Sequence, residues 1–320
     1  MRLLVTGGAG FIGSNYVRAI LTGSLPGVTS LKVLDSLTYA GNESNLEDLT
    51  SKFEFIVGDI CDQSVVSKSY KNVDAVVNFA AESHVDNSIK DSRKFIETNV
   101  LGVQTLLSQA VKSEITRFIQ VSTDEVYGSI QDGSWDESTA IAPNSPYAAS
   151  KAAADLLVSA FNKTHGLNTC ITRCCNNYGP YQYPEKIIPL FITNLIKGIE
   201  IPIYGRGDNI REWIHVHDHC KAIHEVLFKG KSGNVYNIGS GFETTNLQLA
   251  QTILEIMGFS NDKMVFVPDR PGHDFRYSLD STKYIQEFGN NPKIEFNLGL
   301  AETINWYQSN SSWLNRLAKK

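Results

Sequence analysis

A glycine-rich loop between a short strand and a helix most constrains how this chain folds. Residues 2–6, RLLVT, form an apolar strand pattern that runs directly into GGAGFIG at residues 7–13. Gly7, Gly10 and Gly13 are spaced three apart, and a helix is predicted over residues 11–21. Such a turn lets backbone N–H groups approach a pyrophosphate, while the last glycine permits close packing of helix and strand. The arrangement predicts the first unit of a dinucleotide-binding fold.

A second apolar run, residues 31–34, ends in Asp35 and supports this interpretation. An acid at this strand tip is placed to accept hydrogen bonds from ribose hydroxyls and to repel a 2′-phosphate, so we expect NAD as the cofactor, in preference to NADP. Further apolar runs at residues 53–57, 74–79 and 117–120 are predicted strands. The expected fold class is α/β, with a Rossmann-like, doubly wound parallel sheet.

The composition is typical of a globular chain and disfavours several functional classes. At 320 residues, with 42% hydrophobic and 20% charged residues, the chain is long enough for a large α/β domain with a smaller partner. The net charge of -5 disfavours nucleic-acid and membrane-surface binding. Five cysteines without paired CxxC spacing predict neither a disulfide framework nor a metal site. We expect a cytoplasmic protein, because no export signal or membrane-spanning stretch is evident.

The stretch VSTDEVYG at residues 121–128 brings reactive side chains to the end of the fifth strand. Thr123, Asp124 and Glu125 leave the sheet edge together. Tyr147 and Lys151 follow on a predicted helix, where a four-residue step places them on one face. A phenolate is stabilised by a neighbouring ammonium group, so we expect a lowered pKa for Tyr147 and a role as base. One hydroxyl, one phenolic base, one lysine and two carboxyl groups indicate redox chemistry combined with elimination.

The pattern changes after residue 175, where loop-forming residues become frequent. We predict an NAD-binding domain over residues 1–175, with a return segment at about 211–240, and a smaller mixed α/β substrate-binding domain over about 176–210 and 241–320. Lys186 and Arg211 are candidates for the phosphates of a substrate. The segment 267–280 interleaves Arg270, His273 and other charged residues around a Pro-Gly turn, which suits a diphosphate and sugar site. An exposed charged loop is the alternative for this segment.

Several motifs together resemble a known enzyme family. The glycine loop with Thr123, Tyr147 and Lys151 resembles the extended short-chain dehydrogenase/reductases. More closely, DSLTYAGN, AAESHVD, STDEVYG, SPYAASKA, NNYGPYQYPEKIIP and DRPGHDFRY resemble the dTDP-glucose 4,6-dehydratases over nearly the whole chain. The most specific element is the pair Asp124 and Glu125, because the otherwise similar sugar-nucleotide epimerases usually lack both acids there.

The resemblance implies a reaction and a state of assembly. Tyr147 would take the proton of the sugar 4-hydroxyl while Thr123 holds that oxygen and hydride passes to NAD+. Glu125 would then remove the C5 proton, Asp124 would protonate the leaving 6-hydroxyl, and hydride would return to C6. A homodimer joined through a helical bundle is also implied, with dTDP-glucose or a related nucleotide sugar as substrate.

The resemblance also implies site residues, position by position. The residues implied to contact NAD are Gly7, Gly10, Phe11, Ile12, Gly13, Asp35, Thr38, Asp59, Ile60, Ala80, Asn99, Tyr147 and Lys151. The sugar is implied to contact Thr123, Asp124, Glu125, Ser83, His84 and Asn176 or Asn177. The diphosphate and nucleoside are implied to contact Lys186, Arg211, Arg270 and His273.

The chain departs from the family's usual residues at a few positions, and two other functions are considered. It has Asn87, Cys175 and Glu212 where the family commonly has Arg, Ser and Asp, and His215 and His217 replace Tyr and an acid. The first alternative function is that of a UDP-sugar 4-epimerase or decarboxylase of the same family. The second is a cofactor-sensing protein without turnover, against which the intact Tyr147 and Lys151 argue.

Overall fold

The computed structural model describes residues 1–269, 272–289 and 292–317. In chain order the strands are β1 (Arg2–Thr6), β2 (Ser30–Asp35), β3 (Glu54–Val57), β4 (Ala75–Asn78), β5 (Arg117–Thr123), β6 (Thr169–Cys174), β7 (Asn176–Tyr178), β8 (Ile201–Tyr204), β9 (Ile210–His215), β10 (Val235–Ile238), β11 (Glu243–Thr245) and β12 (Met264–Val267).

The helices alternate with the strands through the first half of the chain. They are α1 (Phe11–Leu21), α2 (Gln63–Ser69), α3 (Val85–Lys90), α4 (Arg93–Ile96), α5 (Val103–Lys112), α6 (Pro146–His165), α7 (Ile187–Ile196), α8 (Val216–Lys229), α9 (Asn246–Met257), α10 (Thr282–Phe288), α11 (Phe296–Ser309) and α12 (Ser311–Leu317). Short 3-10 helices cover Glu43–Asn45, Glu47–Lys52, Asp124–Tyr127 and Asn261–Lys263, and a π-helical segment covers Glu97–Gly102.

Seven strands form one sheet in the order β10-β6-β5-β4-β1-β2-β3. All its neighbours pair in parallel. Strands β4, β5 and β6 are buried along their whole length because helices cover both faces. Residues of α1 and α8 form the hydrophobic core on one face, and residues of α5 and α6 form it on the other. The predicted Rossmann-like fold is confirmed.

The direction in which strands are added to the sheet reverses beside β1. From β1 the chain adds β2 and β3 on one side, and then β4, β5 and β6 on the other. The loops that leave the carboxyl ends of β1 and β4 therefore run in opposite directions and leave a crevice between them. This crevice is where a doubly wound sheet binds its ligand.

The helix that carries Tyr147 and Lys151 has strong signals at both ends. The Ser145 side chain accepts a hydrogen bond from the Ala148 amide at 3.1 Å, and Pro146 occupies the first turn. Gly166 ends the helix with φ of 66°, a conformation that favours glycine. The two reactive residues thus lie in the first two turns, which reach the carboxyl edge of the sheet.

A smaller part of the molecule lies beside that edge. Its sheets have the orders β11-β9-β7 and β12-β8, with parallel and antiparallel pairs mixed in the first. Helices α7, α9, α11 and α12 pack around a separate hydrophobic core. The described chain ends in two of these helices, α11 and α12, which separate at Asn310.

The predicted return segment is divided between the two parts. Strand β9 pairs within the small sheet, while α8 and β10 pack on and join the large one. The division into a cofactor domain and a substrate domain stays a prediction. Among the helices of the described residues, none is long and apolar enough to span a membrane.

Candidate active site

A cleft with a volume of about 340 Å³ lies at the carboxyl ends of the parallel strands. Its walls come from the loops after β1 to β6 and from the segment that precedes α7. Most residues predicted for the site meet here although they are distributed over nearly 180 positions of the chain. The predicted residues on its walls are Gly7, Gly10, Phe11, Ile12, Gly13, Asp35, Thr38, Asp59, Ile60, Ala80, Ser83, Thr123, Asp124, Glu125, Tyr147, Lys151, Asn176, Asn177 and Lys186.

The backbone of the glycine loop lies close to the chain that follows β4, and one part of the loop lies close to the start of α1. Gly7 has φ of 69°, and a Cβ there would lie 2.5 Å from the amide nitrogen of Ala80. A Cβ on Gly13 would collide with the carbonyl oxygen of Gly7. Helix α1 begins without a side-chain cap and without an acid in its first turn. Its first amides therefore face the cleft as donors for an anion such as a pyrophosphate.

Asp35 fixes the position of two loops beside that helix terminus. One carboxylate oxygen accepts a hydrogen bond from the Ala9 amide at 2.9 Å, and the other accepts from the Leu37 amide at 2.8 Å. A Cβ on Gly41 would lie 2.5 Å from the same side chain. The carboxylate lies at the tip of β2, as predicted, on the wall of the cleft.

Asp124 is a buried acid with an unused oxygen. It is only 2% exposed, and its Oδ1 accepts a hydrogen bond from the Thr123 hydroxyl at 3.1 Å, while its Oδ2 has no hydrogen-bond partner. Burial raises the pKa of Asp124 well above its usual range, and the neighbouring charges of Glu125 and Glu212 act in the same direction. Asp124 is therefore suited to remain protonated and to donate a proton into the cleft.

Tyr147 lies beside these acids at the beginning of α6. Burial, followed by the charge of Glu125, raises the pKa of Tyr147 well above its usual value, and a hydrogen bond from Thr123 opposes this rise. We expected neighbouring Lys151 to lower the pKa of Tyr147. This expectation is wrong, because the pKa is raised. The Lys151 ammonium instead donates a hydrogen bond to the Val121 carbonyl at 2.7 Å, and burial of the phenol is the largest influence on the pKa of Tyr147.

Beneath Lys151, one further turn along α6, lies a buried ion pair. Asp155 accepts a hydrogen bond from Arg173 at 2.9 Å, and both side chains are almost fully buried. Burial lowers the pKa of Lys151, and the charge of Asp155 raises it. The Arg173 guanidinium also lies over the Tyr127 ring at 4.8 Å. The helix face that carries Tyr147 and Lys151 is thus continued by a carboxylate that favours the charged lysine.

The opposite wall of the cleft comes from the chain after β6. Asn177 uses both ends of its amide on protein groups, because its Nδ2 donates to the Cys175 carbonyl at 3.0 Å and its Oδ1 lies 2.8 Å from His219. Asn176 is less buried and lines the cleft beside it. The Lys186 ammonium donates to the Ser83 carbonyl at 2.7 Å. This wall offers an amide and a cation to a substrate.

Known proteins share this fold and these motifs. A sequence model of the GDP-mannose 4,6 dehydratase family matches residues 4–303. A dTDP-glucose 4,6-dehydratase from Streptomyces niveus is 55% identical over 317 residues, which cover 98% of this chain and 94% of that protein. The chain belongs to the dTDP-glucose 4,6-dehydratase family.

Solved structures of the family are similar over the whole chain. The dTDP-glucose 4,6-dehydratase DesIV from Streptomyces venezuelae, with NAD and TYD bound, is 53% identical with a TM-score of 0.98, covering 99% of this chain and 100% of that one. The dTDP-glucose 4,6-dehydratase of Bacillus anthracis in complex with NAD is 45% identical with a TM-score of 0.92, and 99% of each chain is covered. Family members with this fold therefore bind NAD.

Some residues predicted for the site do not lie on the wall of the cleft. Asn99 is buried, and its amide holds the backbone of Glu82 at 2.9 and 3.0 Å, so it acts on a loop that lines the cleft. Arg211 lies over the Tyr277 ring at 4.3 Å and donates to the Asp274 carbonyl at 2.9 Å. Neither side chain lies on the cleft wall.

Three further residues were predicted to contact the substrate: His84, His273 and Arg270. His84 begins α3, and its Nε2 lies 3.6 Å from Glu185, which lines the cleft. His273 has a nearly buried side chain that lies 2.7 Å from Asp269. The prediction for Arg270 lies outside the described residues.

Several residues that line the cleft were not predicted from the sequence. Tyr39, Gln182, Tyr183, Glu185 and Trp213 line it. Tyr39 follows the strand that ends in Asp35. Gln182, Tyr183 and Glu185 shortly precede Lys186 in the sequence, so proximity to known motifs was the available signal. Trp213 had no such signal, because it reaches the cleft from β9 through pairing with Asn176 of β7.

Of the positions at which the chain departs from the family's usual residues, Cys175 alone lies on the cleft wall, and Asn87, Glu212, His215 and His217 do not. Glu212 accepts hydrogen bonds from the amides of Gly241 and Leu279 at 2.8 and 2.9 Å. Cys175 is buried on the cleft wall. The rings of His215 and His217 lie 4.9 Å apart, and burial lowers the pKa of His215 to about 3. A neutral His215 caps α8 by accepting a hydrogen bond from the His217 amide.

Proposed function

We propose that the protein is an NAD-dependent dTDP-glucose 4,6-dehydratase, which converts dTDP-glucose to dTDP-4-keto-6-deoxyglucose and water. The observation that carries the proposal is the cleft wall shared by Tyr147, Asp124 and Glu125. Oxidation and reduction of a sugar require only the phenol with its lysine, whereas the loss of water requires an additional acid and base. The similarity to dTDP-glucose 4,6-dehydratases over 98% of the chain supports the same reaction.

The residues of the first wall fit NAD. The uncapped start of α1 would bind the pyrophosphate. Gly7 lies so close to Ala80 that a side chain at position 7 would not fit. Asp35 would bind the adenosine ribose and disfavour a 2′-phosphate. Asp59 and Ile60 would bracket the adenine, while Lys151 would hold the nicotinamide ribose. Bound NAD would supply the redox chemistry, since its oxidised form accepts a hydride from C4 of the sugar and its reduced form can return one to C6.

The oxidation at C4 requires one proton to be removed. Tyr147 would accept the proton of the 4-hydroxyl, and Thr123 would donate a hydrogen bond to the same oxygen. The buried phenol needs positive charge close to it, because burial and Glu125 raise its pKa. Lys151 supplies one such charge, and Asp155 beneath it favours the protonated lysine. These residues hold and move a proton at a single oxygen atom.

The elimination of water requires protons to move at two neighbouring carbons. Glu125 would remove the proton from C5, which a ketone at C4 makes acidic. Asp124 would protonate the departing hydroxyl at C6. The raised pKa of Asp124 favours the protonated acid, and its Oδ2, which has no hydrogen-bond partner, is a position from which to donate. Two acids in different surroundings thus serve as acid and base at the same time.

The nucleotide half of the substrate would lie toward the smaller part. We propose that Asn176, Ser83 and Lys186 bind the sugar and diphosphate, with Arg211 and His273 near the nucleoside. Arg270 belongs to the same proposal by its place in the motif. In this assignment residues 176–210 and 241–320 supply most contacts to the nucleotide sugar, and the seven-stranded sheet supplies the cofactor site.

Incubation with dTDP-glucose tests the proposed reaction directly. The expected product is a base-labile 4-keto-6-deoxy sugar, formed more slowly from UDP-glucose. Tyr147→Phe should reduce turnover by about 100- to 10,000-fold, because the general base is removed. Formation of the 4-epimer without loss of water would contradict the proposal and favour an epimerase, and binding of NAD without any turnover would favour a sensor.

We also propose that the protein is a cytoplasmic homodimer. Exposed apolar side chains occur on three segments of which α6 contacts the other two: Ile96 on α4 is 46%, Leu101 on the π-helical segment 54% and Leu156 on α6 60% exposed. The π-helical segment that carries Leu101 packs against α6. Such a patch on adjoining helices is typical of a surface that a second copy covers.

A further inference from the structure

Two loops that are far apart in the sequence meet across the cleft. The first, residues 36–42, follows β2 and carries Tyr39. The second, residues 179–186, precedes α7 and carries Glu185. Residues of both loops line the cleft. The Glu185 side chain is 16% exposed and Tyr39 is partly buried, so the two residues meet near the rim, between the interior and solvent.

One carboxylate joins three segments at this point. The Tyr39 hydroxyl donates a hydrogen bond to Oε1 of Glu185 at 3.1 Å. The other oxygen, Oε2, lies 3.6 Å from Nε2 of His84 at the start of α3. The Tyr39 ring also meets the Tyr183 ring edge-on, with centroids 5.7 Å apart. We call Tyr39, Glu185 and His84 the clasp.

The loop that carries Tyr39 is fixed at both ends. At its start, the Leu37 amide donates to Asp35 at 2.8 Å. At its end, the Asn42 amide donates to the Ala9 carbonyl at 3.0 Å, within the glycine loop. Tyr39 lies midway between these fixed points. These two hydrogen bonds therefore hold the loop in the position from which the Tyr39 phenol reaches Glu185.

The loop that carries Glu185 is fixed as well. The adjacent Lys186 ammonium donates to the Ser83 carbonyl at 2.7 Å, and Asn15 donates to the Pro180 carbonyl at 2.9 Å. The Arg18 guanidinium lies 5.0 Å from the centre of the Tyr181 ring. Because both loops are held, the clasp opens only when its own contacts break.

We propose, on the basis of the proposed function, that the clasp retains the dinucleotide cofactor in the cleft between turnovers. In that reaction the hydrogen removed at C4 returns at C6, so the cofactor ends each turnover in its starting state and its release serves no step. Tyr39 and Glu185 transfer no proton in this scheme. Opening the clasp should therefore change how fast NAD leaves, while the catalytic groups stay in place.

The test measures release of labelled NAD+ and needs no turnover. Protein loaded with radiolabelled NAD+ is diluted into excess unlabelled NAD+, and the label that stays bound is followed by filtration. Tyr39→Phe removes the hydroxyl and keeps the ring against Tyr183, and Glu185→Gln keeps an acceptor but removes the charge facing His84. The matched control is Glu47→Gln, which breaks a 2.9 Å contact to Arg316 outside the cleft.

The proposal expects release to be about three- to tenfold faster in Tyr39→Phe than in the unaltered protein, with Glu47→Gln unchanged. Glu185→Gln should fall between them, and it carries the test if Tyr39→Phe fails to fold. Release at the unaltered rate in a folded Tyr39 or Glu185 variant overturns the clasp alone. Unaltered protein that holds no NAD overturns the proposed function together with the clasp.

Discussion

At the scale of single residues, two adjacent carboxyl groups have different surroundings. Asp124 is 2% exposed and points one unpaired oxygen toward the cleft, whereas Glu125 is partly exposed and its amide donates to Thr123. Burial penalises the charged form of Asp124, and the charge of its neighbour adds to that penalty. One member of the pair is thus suited to give a proton and the other to take one.

Replacing Glu125 by Gln should separate oxidation from elimination. The phenol and lysine remain, so the sugar is still oxidised, but no base removes the C5 proton. Reduced cofactor should therefore accumulate on the enzyme, and product formation should fall by about 100- to 10,000-fold. Near-ultraviolet absorbance follows the first quantity, with Glu255→Gln, an exposed acid on α9, as the control. Normal product formation by Glu125→Gln would rule out this role.

Replacing Asp124 by Asn should change how stability depends on pH. A carboxyl whose pKa is raised on folding stabilises the protein most at pH values below its unfolded pKa, and this contribution is lost as pH rises through the folded value. Asn does not titrate. The melting temperature of the variant should therefore increase relative to the unaltered protein as pH rises from about 4. A difference that stays constant with pH would show that Asp124 does not carry the raised pKa.

At the scale of an element, α6 presents one continuous polar stripe to the sheet. Tyr147, Lys151 and Asp155 follow one another at four-residue steps, and all three are buried. The first two face the cleft, and the third pairs with Arg173 of β6. The helix thus connects the Tyr147 phenol on the cleft wall to an ion pair within the core.

Asp155→Asn should destabilise the fold by about 3–5 kcal/mol, because it leaves the buried Arg173 without a charged partner. The matched control is Glu97→Gln, which removes the acid of the exposed pair between Arg93 and Glu97 and should leave stability unchanged. Chemical denaturation measures both. Equal stability of the two variants would mean that water or another group satisfies Arg173.

At the scale of the whole molecule, the chain crosses between its two parts more than once. The chain leaves the large sheet after β6 and enters the small sheet with β7. It returns to the large part with α8 and β10, and then adds β11 to the small sheet before α9 begins. The cleft lies where the parts meet, so each contributes one wall. Leu156 of the proposed dimer surface lies on α6, the helix that also carries Tyr147.

Leu101→Glu with Leu156→Glu should convert the proposed homodimer into a monomer, because two charges would enter an apolar interface. The control is Leu298→Glu on α11, where an equally exposed leucine, 66%, lies away from the patch. Sedimentation velocity distinguishes the two species. A dimer that persists in the double variant would place the interface elsewhere.

The sequence by itself determined the parts of the fold that depend on local patterns. The bounds of β1 and α1 follow from the apolar run and the glycine spacing, since Gly7 needs a positive φ and Gly13 leaves no space for a side chain. Pro146 indicated where α6 begins. The acids after β5 were found because they immediately follow a strand. These features depend on neighbours in the chain, which the sequence displays.

Only the tertiary structure decided which groups are charged and which distant residues meet. The pKa of Tyr147 is raised, contrary to the expectation, because desolvation depends on how completely the fold encloses it. Asn99 acts on a loop, and Tyr39 meets Glu185 across 146 positions. Burial and long-range contact are sums over the whole packed molecule, so no local pattern of residues specifies them.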